Sequence, residues 1–189
     1  MYQTEIKEYI DREIDTLKSL DVSSIDAVMA AILETYETGG TIYIFGNGGS
    51  ASTASHFQND FNKGLSEFLE KKFNFVCLND NVPTIMAIAN DLGYEHIFEF
   101  QLKGKLKKTD LVIGISGSGN SPNILNAIEY AKSQGIKTIG ITGYDGGKLA
   151  NIVDLSFNVP IHDMQITEDI HMVLDHLMMS ILMKKLVID

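Results

Sequence analysis

The sequence predicts a doubly wound α/β fold built on a parallel five-stranded sheet. Apolar runs rich in β-branched residues alternate with segments of helical periodicity, which is typical of parallel strands joined by crossover helices. Two of these runs end in loops of glycine and small polar residues that lead directly into a helix. The predicted strands cover residues 41–46, 73–79, 110–116, 137–142 and 154–159.

The helices are predicted from apolar spacing and from capping residues. The first, at 2–20, carries Ile6 and Ile10 on one face, and the second begins near Ile25 after a Ser23 or Ser24 cap and ends before Gly39. The other predicted helices cover residues 50–62, 82–93, 94–105, 122–133, 148–151 and 166–186.

The terminal helices indicate packing between subunits. The helix at 166–186 is rich in Met and Leu and is apolar on more than one face, so something must cover both sides. We therefore expect one domain over 1–189, with N-terminal helices at 1–38, an α/β core at 41–160 and a C-terminal helix at 164–188. The terminal helices would form a bundle in an oligomer.

Composition limits the partners. The 189 residues include 15 Lys and Arg against 25 Asp and Glu, a formal charge of −10, which disfavours a sequence-independent nucleic-acid surface. The single cysteine, Cys77, allows no intrachain disulfide and suits a reducing compartment. No signal core precedes the domain, and no apolar run approaches the roughly 18 residues of a membrane helix. We expect a cytoplasmic protein without nucleic-acid or membrane partners.

The first loop follows the strand at 41–46 and reads Gly46-Asn47-Gly48-Gly49. Its glycines suit a tight turn that leaves backbone N–H groups bare, and Ser50 or Ser52 could cap the helix that follows. Bare N–H groups at a helix N-terminus bind anions, phosphate above all.

The second loop, after the strand at 110–116, carries the hydroxyls of Ser116, Ser118 and Ser121, with Pro122 opening the next helix. Three hydroxyls and several N–H groups on one turn favour a cage for a phosphate monoester over a pair of ordinary strand-to-helix turns. In a doubly wound fold both loops lie at the carboxyl ends of their strands, where ligands bind.

A dinucleotide site is the first alternative, because Gly46, Gly48 and Ala51 match the pattern G-x-G-x-x-A. That reading needs an acidic residue at the end of the next strand. Glu70 precedes that strand and Asp80 comes late. We therefore expect no nucleotide cofactor.

Motifs along almost the whole chain carry a family resemblance. They are residues 46–50 with His56-Phe57, then 89–93, 114–121 and 142–148, and the histidine-bearing helix near the end. In this order and spacing they resemble the phosphoheptose isomerases of the sugar isomerase (SIS) domain family. The resemblance implies a flavodoxin-like SIS sandwich and a homotetramer. It also implies an aldose-ketose isomerase that converts sedoheptulose 7-phosphate to D-glycero-D-manno-heptose 7-phosphate, for nucleotide-activated heptose.

By this resemblance the sugar-phosphate substrate has two sets of contacts. The serine loop holds the phosphate, and the first loop, the end of the helix at 82–93 and one glutamate hold the rest. The implied substrate-binding residues are Asn47, Gly48, Gly49, Ser50, Asn90, Asp91, Ser116, Gly117, Ser118, Ser121 and Glu168.

The resemblance also implies a catalytic pair, Asp60 and His176, and one zinc ion per subunit held by His56, Asp60, Glu168 and His176. His56 and Asp60 are four residues apart, so they share a helix face. Glu168 and His176 are eight apart, roughly 12 Å along a helix, which suggests that Glu168 precedes the helix. The commonest family pattern has glutamate in place of Asp60 and glutamine in place of Glu168.

Three alternatives remain open. His171 is a rival to His176, while His162 and His96 are expected at the surface or in turns. The chain could be a non-enzymatic member of the family that binds a protein such as the bacterial replication initiator. It could also be an isomerase or sensor for another sugar phosphate, such as a hexosamine.

Overall fold

A computed structural model describes residues 1–188 of the chain. Five strands form one sheet in which every neighbouring pair is parallel, in the order β2-β1-β3-β4-β5. This confirms the predicted doubly wound fold. The strands are β1 (Ile42–Gly46), β2 (Phe75–Cys77), β3 (Leu111–Ser116), β4 (Lys137–Gly143) and β5 (Leu155–Val159).

Within residues 1–188, eight α-helices surround the sheet, with π-helical segments at Asp60–Leu65 and Lys184–Ile188 and 3-10 turns at Ser66–Phe68 and Tyr94–His96. The single helix predicted at 94–105 is wrong, since only a 3-10 turn and a four-residue helix form there. The helices are α1 (Gln3–Lys18), α2 (Val22–Thr38), α3 (Gly49–Asn59), α4 (Val82–Asp91), α5 (Glu99–Leu102), α6 (Pro122–Ser133), α7 (Gly147–Ile152) and α8 (Met164–Met183).

Helix starts differ from the predicted caps. Asp21, not Ser23 or Ser24, caps α2, and its carboxylate accepts from the Ser23 N–H at 2.9 Å. Gly48, not a serine, precedes α3. Ser121 does occupy the position before α6, but its hydroxyl makes no capping bond. The hydroxyls near both glycine loops are thus not used to cap α3 or α6.

The sheet has a hydrophobic core on each face, because helices cover both. On one face Ile44 and Ile113 pack among residues of α2, α3 and α8, and on the other Phe45 and Val112 pack among residues of α4 to α7. β1 and β3 are adjacent strands whose following loops leave the same edge of the sheet. The strand order reverses between them, which is where doubly wound folds bind ligands.

The terminal helices differ in burial. α8 packs on the sheet through a stripe that includes Ile170 and Leu174, whereas Ile6, Ile10 and Ile14 of α1 stay 57, 48 and 42% exposed. Within residues 1–188, no helix has the length and apolar character needed to cross a bilayer.

Candidate functional site

The loops after β1 and β3 line a pocket of about 160 Å³ together with the start of α8. None of its lining residues within the described chain is Lys or Arg, so its donors are hydroxyls, an amide and backbone N–H groups. The lining residues are Asn47, Ser50, Ile115, Ser116, Gly117, Ser118, Ser121, Met164 and Glu168.

The serine loop presents its hydroxyls to this pocket. The Oγ atoms of Ser116 and Ser121 are 3.2 Å apart, and the exposed Ser118 Oγ accepts from the Asn120 N–H at 3.3 Å. The loop precedes the twelve-residue helix α6, whose N-terminus adds the positive end of the helix dipole. Hydroxyls and N–H groups converging here suit a phosphate monoester.

Asn47 is held in place by two residues that sequence reasoning missed. Its side chain exchanges hydrogen bonds of 2.9 and 2.8 Å with Asn123, and its Oδ1 also accepts from the Tyr94 hydroxyl at 2.9 Å. Asn123 is buried in the first turn of α6. The sequence held a signal for Asn123, because it is a polar residue in the first turn of a helix that follows a phosphate-type loop. A polar side chain buried at such a position needs a hydrogen-bond partner.

Four other predicted substrate residues are exposed and do not line the pocket within residues 1–188. Gly48 and Gly49 are exposed at the start of α3, and Gly48 has a positive φ of 55°. Asn90 and Asp91 are exposed at the end of α4, where Asn90 Nδ2 donates to Asp91 Oδ1 at 2.7 Å. These two are not among the residues that line the pocket in the described chain.

A cluster of two histidines and two aspartates lies between α3 and α8. The Nε2 atoms of His56 and His176 are 3.0 Å apart, and Asp60 Oδ2 is 3.5 Å from the first and 3.8 Å from the second. Asp175 joins them, and one ligand atom from each of the four falls within 4.8 Å of the others. Imidazole nitrogens and carboxylate oxygens this close form a possible site for a divalent cation.

Asp175 is the member of this cluster that sequence reasoning missed. Its side chain is fully buried, and neither of its oxygens has a hydrogen-bond partner within residues 1–188. Burial, together with the nearby Asp60 carboxylate, raises the pKa of Asp175 to about 8. The signal was present in the sequence, because an aspartate on the apolar stripe of a helix is rarely buried without a charged or polar partner.

Glu168 lies elsewhere. It belongs to α8, which begins at Met164, so the expectation that it precedes the helix is wrong. Its carboxylate lines the pocket and sits where a Cβ on Gly49 would be, at the first residue of α3. The cluster that contains His56, Asp60 and His176 does not include Glu168.

The remaining histidines are engaged in other contacts. His171 is fully buried, with Nε2 3.0 Å from the Thr142 carbonyl oxygen, and burial lowers its pKa to about 4. The ring of His162 packs edge-on against Tyr144, and His96 lies 3.0 Å from Glu99. None of these three belongs to the cluster found among the described residues.

Comparison with known proteins gives a consistent family. A family model described as SIS domain matches residues 2–143. A phosphoheptose isomerase of Helicobacter pylori is 37% identical over 172 residues, which is 91% of this chain and 87% of that protein. Solved phosphoheptose isomerases of Neisseria gonorrhoeae and Francisella tularensis superpose with TM-scores of 0.88 and 0.89 at 28% and 27% identity. They cover 96% and 97% of this chain, which in turn covers 98% and 99% of theirs.

Proposed function

We propose that this chain, which belongs to the SIS domain family and within it to the phosphoheptose isomerases, interconverts sedoheptulose 7-phosphate and D-glycero-D-manno-heptose 7-phosphate. The product would feed the synthesis of nucleotide-activated heptose. The observation that carries this proposal is a cluster of acid-base groups, His56, Asp60 and His176, two helical turns from a pocket suited to phosphate.

The separation between pocket and cluster supports a seven-carbon substrate. α3 begins at Gly49, beside the Glu168 carboxylate, and seven residues later His56 meets His176 of α8. At about 1.5 Å per residue, the cluster is roughly 10–12 Å from the pocket. An extended heptose 7-phosphate spans roughly 10 Å from phosphorus to C1, given zigzag bonds of about 1.5 Å. With its phosphate in the serine loop, such a substrate would bring C1 and C2 to the cluster.

Isomerisation then needs one proton moved between C1 and C2 and another between their oxygens. One group removes the proton from the carbon next to the carbonyl, which gives an enediol, and returns it to the neighbouring carbon. The Asp60 carboxylate and the His176 imidazole, whose Oδ2 and Nε2 atoms are 3.8 Å apart, are suited to these two transfers. Positioned acid-base groups contribute about 10²–10⁴-fold each. Binding of the unreacting phosphate would supply orientation.

We also propose one zinc ion per subunit at this cluster. Zinc prefers the mixed nitrogen and oxygen donors that His56, His176 and Asp60 offer, whereas magnesium and calcium prefer oxygen alone. When bound, the ion would polarise an oxygen of the substrate. Ligation through Oδ2 would leave the other oxygen of Asp60 for proton transfer, whereas His176 would transfer a proton only while its Nε2 atom is not bound to the ion. Assays with zinc supplied and with zinc removed would separate ligation from proton transfer.

Conversion of the substrate tests this function. Purified protein incubated with sedoheptulose 7-phosphate in D₂O should produce the aldose, detected by mass spectrometry and NMR. Deuterium should appear at C1 of the recovered ketose or C2 of the aldose, because an enediol exchanges its proton with solvent. Retention of the substrate's own hydrogen would contradict the enediol route. Binding without conversion or exchange would contradict the isomerase itself and favour a binding protein.

Ser118→Ala and Ser121→Ala should each raise the KM for the sugar phosphate about 10–100-fold, because a hydrogen bond to a charged group contributes about 1.5–3 kcal/mol. Initial rates over a range of substrate concentrations would measure this effect. Ser133→Ala is the matched control, since its hydroxyl donates only to the Tyr130 carbonyl at the far end of α6. A KM equal to that of the wild type in both loop variants would contradict the phosphate role of this loop.

We expect a homotetramer, because the exposed isoleucines of α1 form an apolar stripe that one chain leaves uncovered. Multi-angle light scattering should give about four times the mass of one chain. Ile10→Glu, which places a charge in the stripe, should shift the protein to smaller species. A wild-type monomer at micromolar concentration would contradict this expectation.

A further inference from the structure

We propose that Asp175 is the fourth ligand of the cation at the cluster, in the place that the family resemblance assigns to Glu168, and that Glu168 contacts the sugar instead. The proposal rests on the proposed cation site and not on the isomerisation. It concerns how this chain completes the site with residues that depart from the common family pattern.

The distances within the cluster match a four-coordinate site. A tetrahedral zinc ion with bonds of about 2.1 Å places its ligand atoms roughly 3.4 Å from one another. The His56 Nε2 atom lies 3.0 Å from His176 Nε2, 3.5 Å from Asp60 Oδ2 and 3.9 Å from Asp175 Oδ2. These three separations bracket the tetrahedral value, and every pair among the four ligand atoms lies within 4.8 Å, so side-chain rotations would bring the four atoms around one ion.

The surroundings of Asp175 indicate a missing positive partner. Both of its oxygens are buried and lack a hydrogen-bond partner within residues 1–188. The nearest histidine nitrogen, at 3.9 Å, is beyond hydrogen-bond distance. An uncompensated buried carboxylate costs several kcal/mol, and a cation bound by this carboxylate removes that cost. The residue therefore fits a ligand better than it fits a structural role in the core.

Helix geometry separates Asp175 from Glu168. Asp175 and His176 are consecutive, roughly 100° apart around α8, so they can approach one ion from two sides. Glu168 is eight residues before His176, roughly 12 Å along the same helix. Its carboxylate lies against Gly49 and lines the pocket with Ser50, at the end of the site where the sugar phosphate would bind.

The shorter side chain at position 60 is consistent with this exchange. The common family pattern has glutamate at this position, and the side chain of Asp60 is one methylene shorter. This leaves space in the cluster for a second carboxylate. Asp60 and Asp175 together then supply two oxygen ligands beside the two imidazoles. The positive charge of the ion would balance both carboxylates, and Glu168 would be free to accept hydrogen bonds from substrate hydroxyls.

Zinc titration of chelator-treated protein by calorimetry, with melting temperatures measured in parallel, tests the proposal. Asp175→Asn should bind zinc at least about tenfold more weakly and gain less thermal stability from it. Without zinc, this variant should melt near the wild-type temperature, because the Asp175 side chain has no hydrogen-bond partner within residues 1–188 that the substitution would remove. Glu168→Gln, the matched control, removes the same charge from the same helix and should bind zinc within about twofold of wild type.

The reverse pattern, with zinc affinity lost in Glu168→Gln and kept in Asp175→Asn, would overturn the proposal. If Asp175→Asn does not fold, the visible spectra of cobalt-loaded wild type and cobalt-loaded Glu168→Gln test the proposal instead, because the absorption of Co²⁺ depends on its ligands. Identical spectra would support Asp175, and altered spectra would overturn it. Wild-type protein that isomerises its substrate but binds no zinc would overturn this proposal and the proposed zinc site, and would leave the proposed isomerisation intact. Zinc binding without isomerisation would contradict only the proposed function.

Discussion

Asp60→Asn and His176→Gln should each lower isomerase turnover by about 10²–10⁴-fold, while affinity for the sugar phosphate changes little. Both side chains contribute proton-accepting atoms to the cluster, and neither lines the pocket in which we place the phosphate. Loss of either group would therefore remove a proton transfer without removing the main binding contacts. Turnover is measured by NMR and affinity by calorimetry, with zinc supplied and with zinc removed.

Two matched control variants carry the same types of substitution at residues outside the cluster. Asp26→Asn changes an exposed aspartate of α2, and His162→Gln changes an exposed histidine after β5. Both should keep wild-type turnover. Wild-type turnover in Asp60→Asn and His176→Gln would remove the acid-base role from these two residues. A loss of turnover accompanied by an equal loss of substrate affinity would assign them to binding.

Gly119→Ala should lower the free energy of unfolding by about 2–5 kcal/mol, from backbone strain and overpacking together. Gly119 has a φ of +64°, and an added Cβ would lie 2.6 Å from the carbonyl carbon of Gly146 and closer still to its oxygen. Backbone surrounds the added atom, so no flexible side chain can move aside. The Leu149 N–H also donates to the Gly119 carbonyl at 2.9 Å. The substitution would thus separate the serine loop from the loop after β4.

Gly39→Ala separates strain from overpacking. Gly39 has a φ of +74°, but an added Cβ would meet no atom within 4 Å. Gly39→Ala should lower the free energy of unfolding only by the cost of the left-handed backbone, about 1–2 kcal/mol. Chemical denaturation at one fixed protein concentration measures both variants. If Gly119→Ala were no less stable than Gly39→Ala, the contact between the two loops would have to be looser than the structure indicates.

The architecture could be predicted from the sequence, because the relevant signals are local. Apolar runs and helical periodicity identified five parallel strands and most helices, and the glycines at 46 and 48 marked the turn after β1. The rule that ligands bind at the carboxyl ends of parallel strands then placed both loops at one edge. Caps and short elements were less predictable, as at Asp21 and at 94–105, because several neighbouring residues satisfy the same local preferences.

Which side chains meet at the site could not be predicted from local patterns. Helical spacing placed His56 and Asp60 on one face of the helix predicted at 50–62, but their partners lie about 120 residues later in the chain. The register of α3 against α8 brings Asp175 and His176 to that face and leaves Glu168 two turns away, beside Gly49. Sequence spacing cannot determine that register, because it depends on how buried side chains of both helices pack against each other and against the sheet.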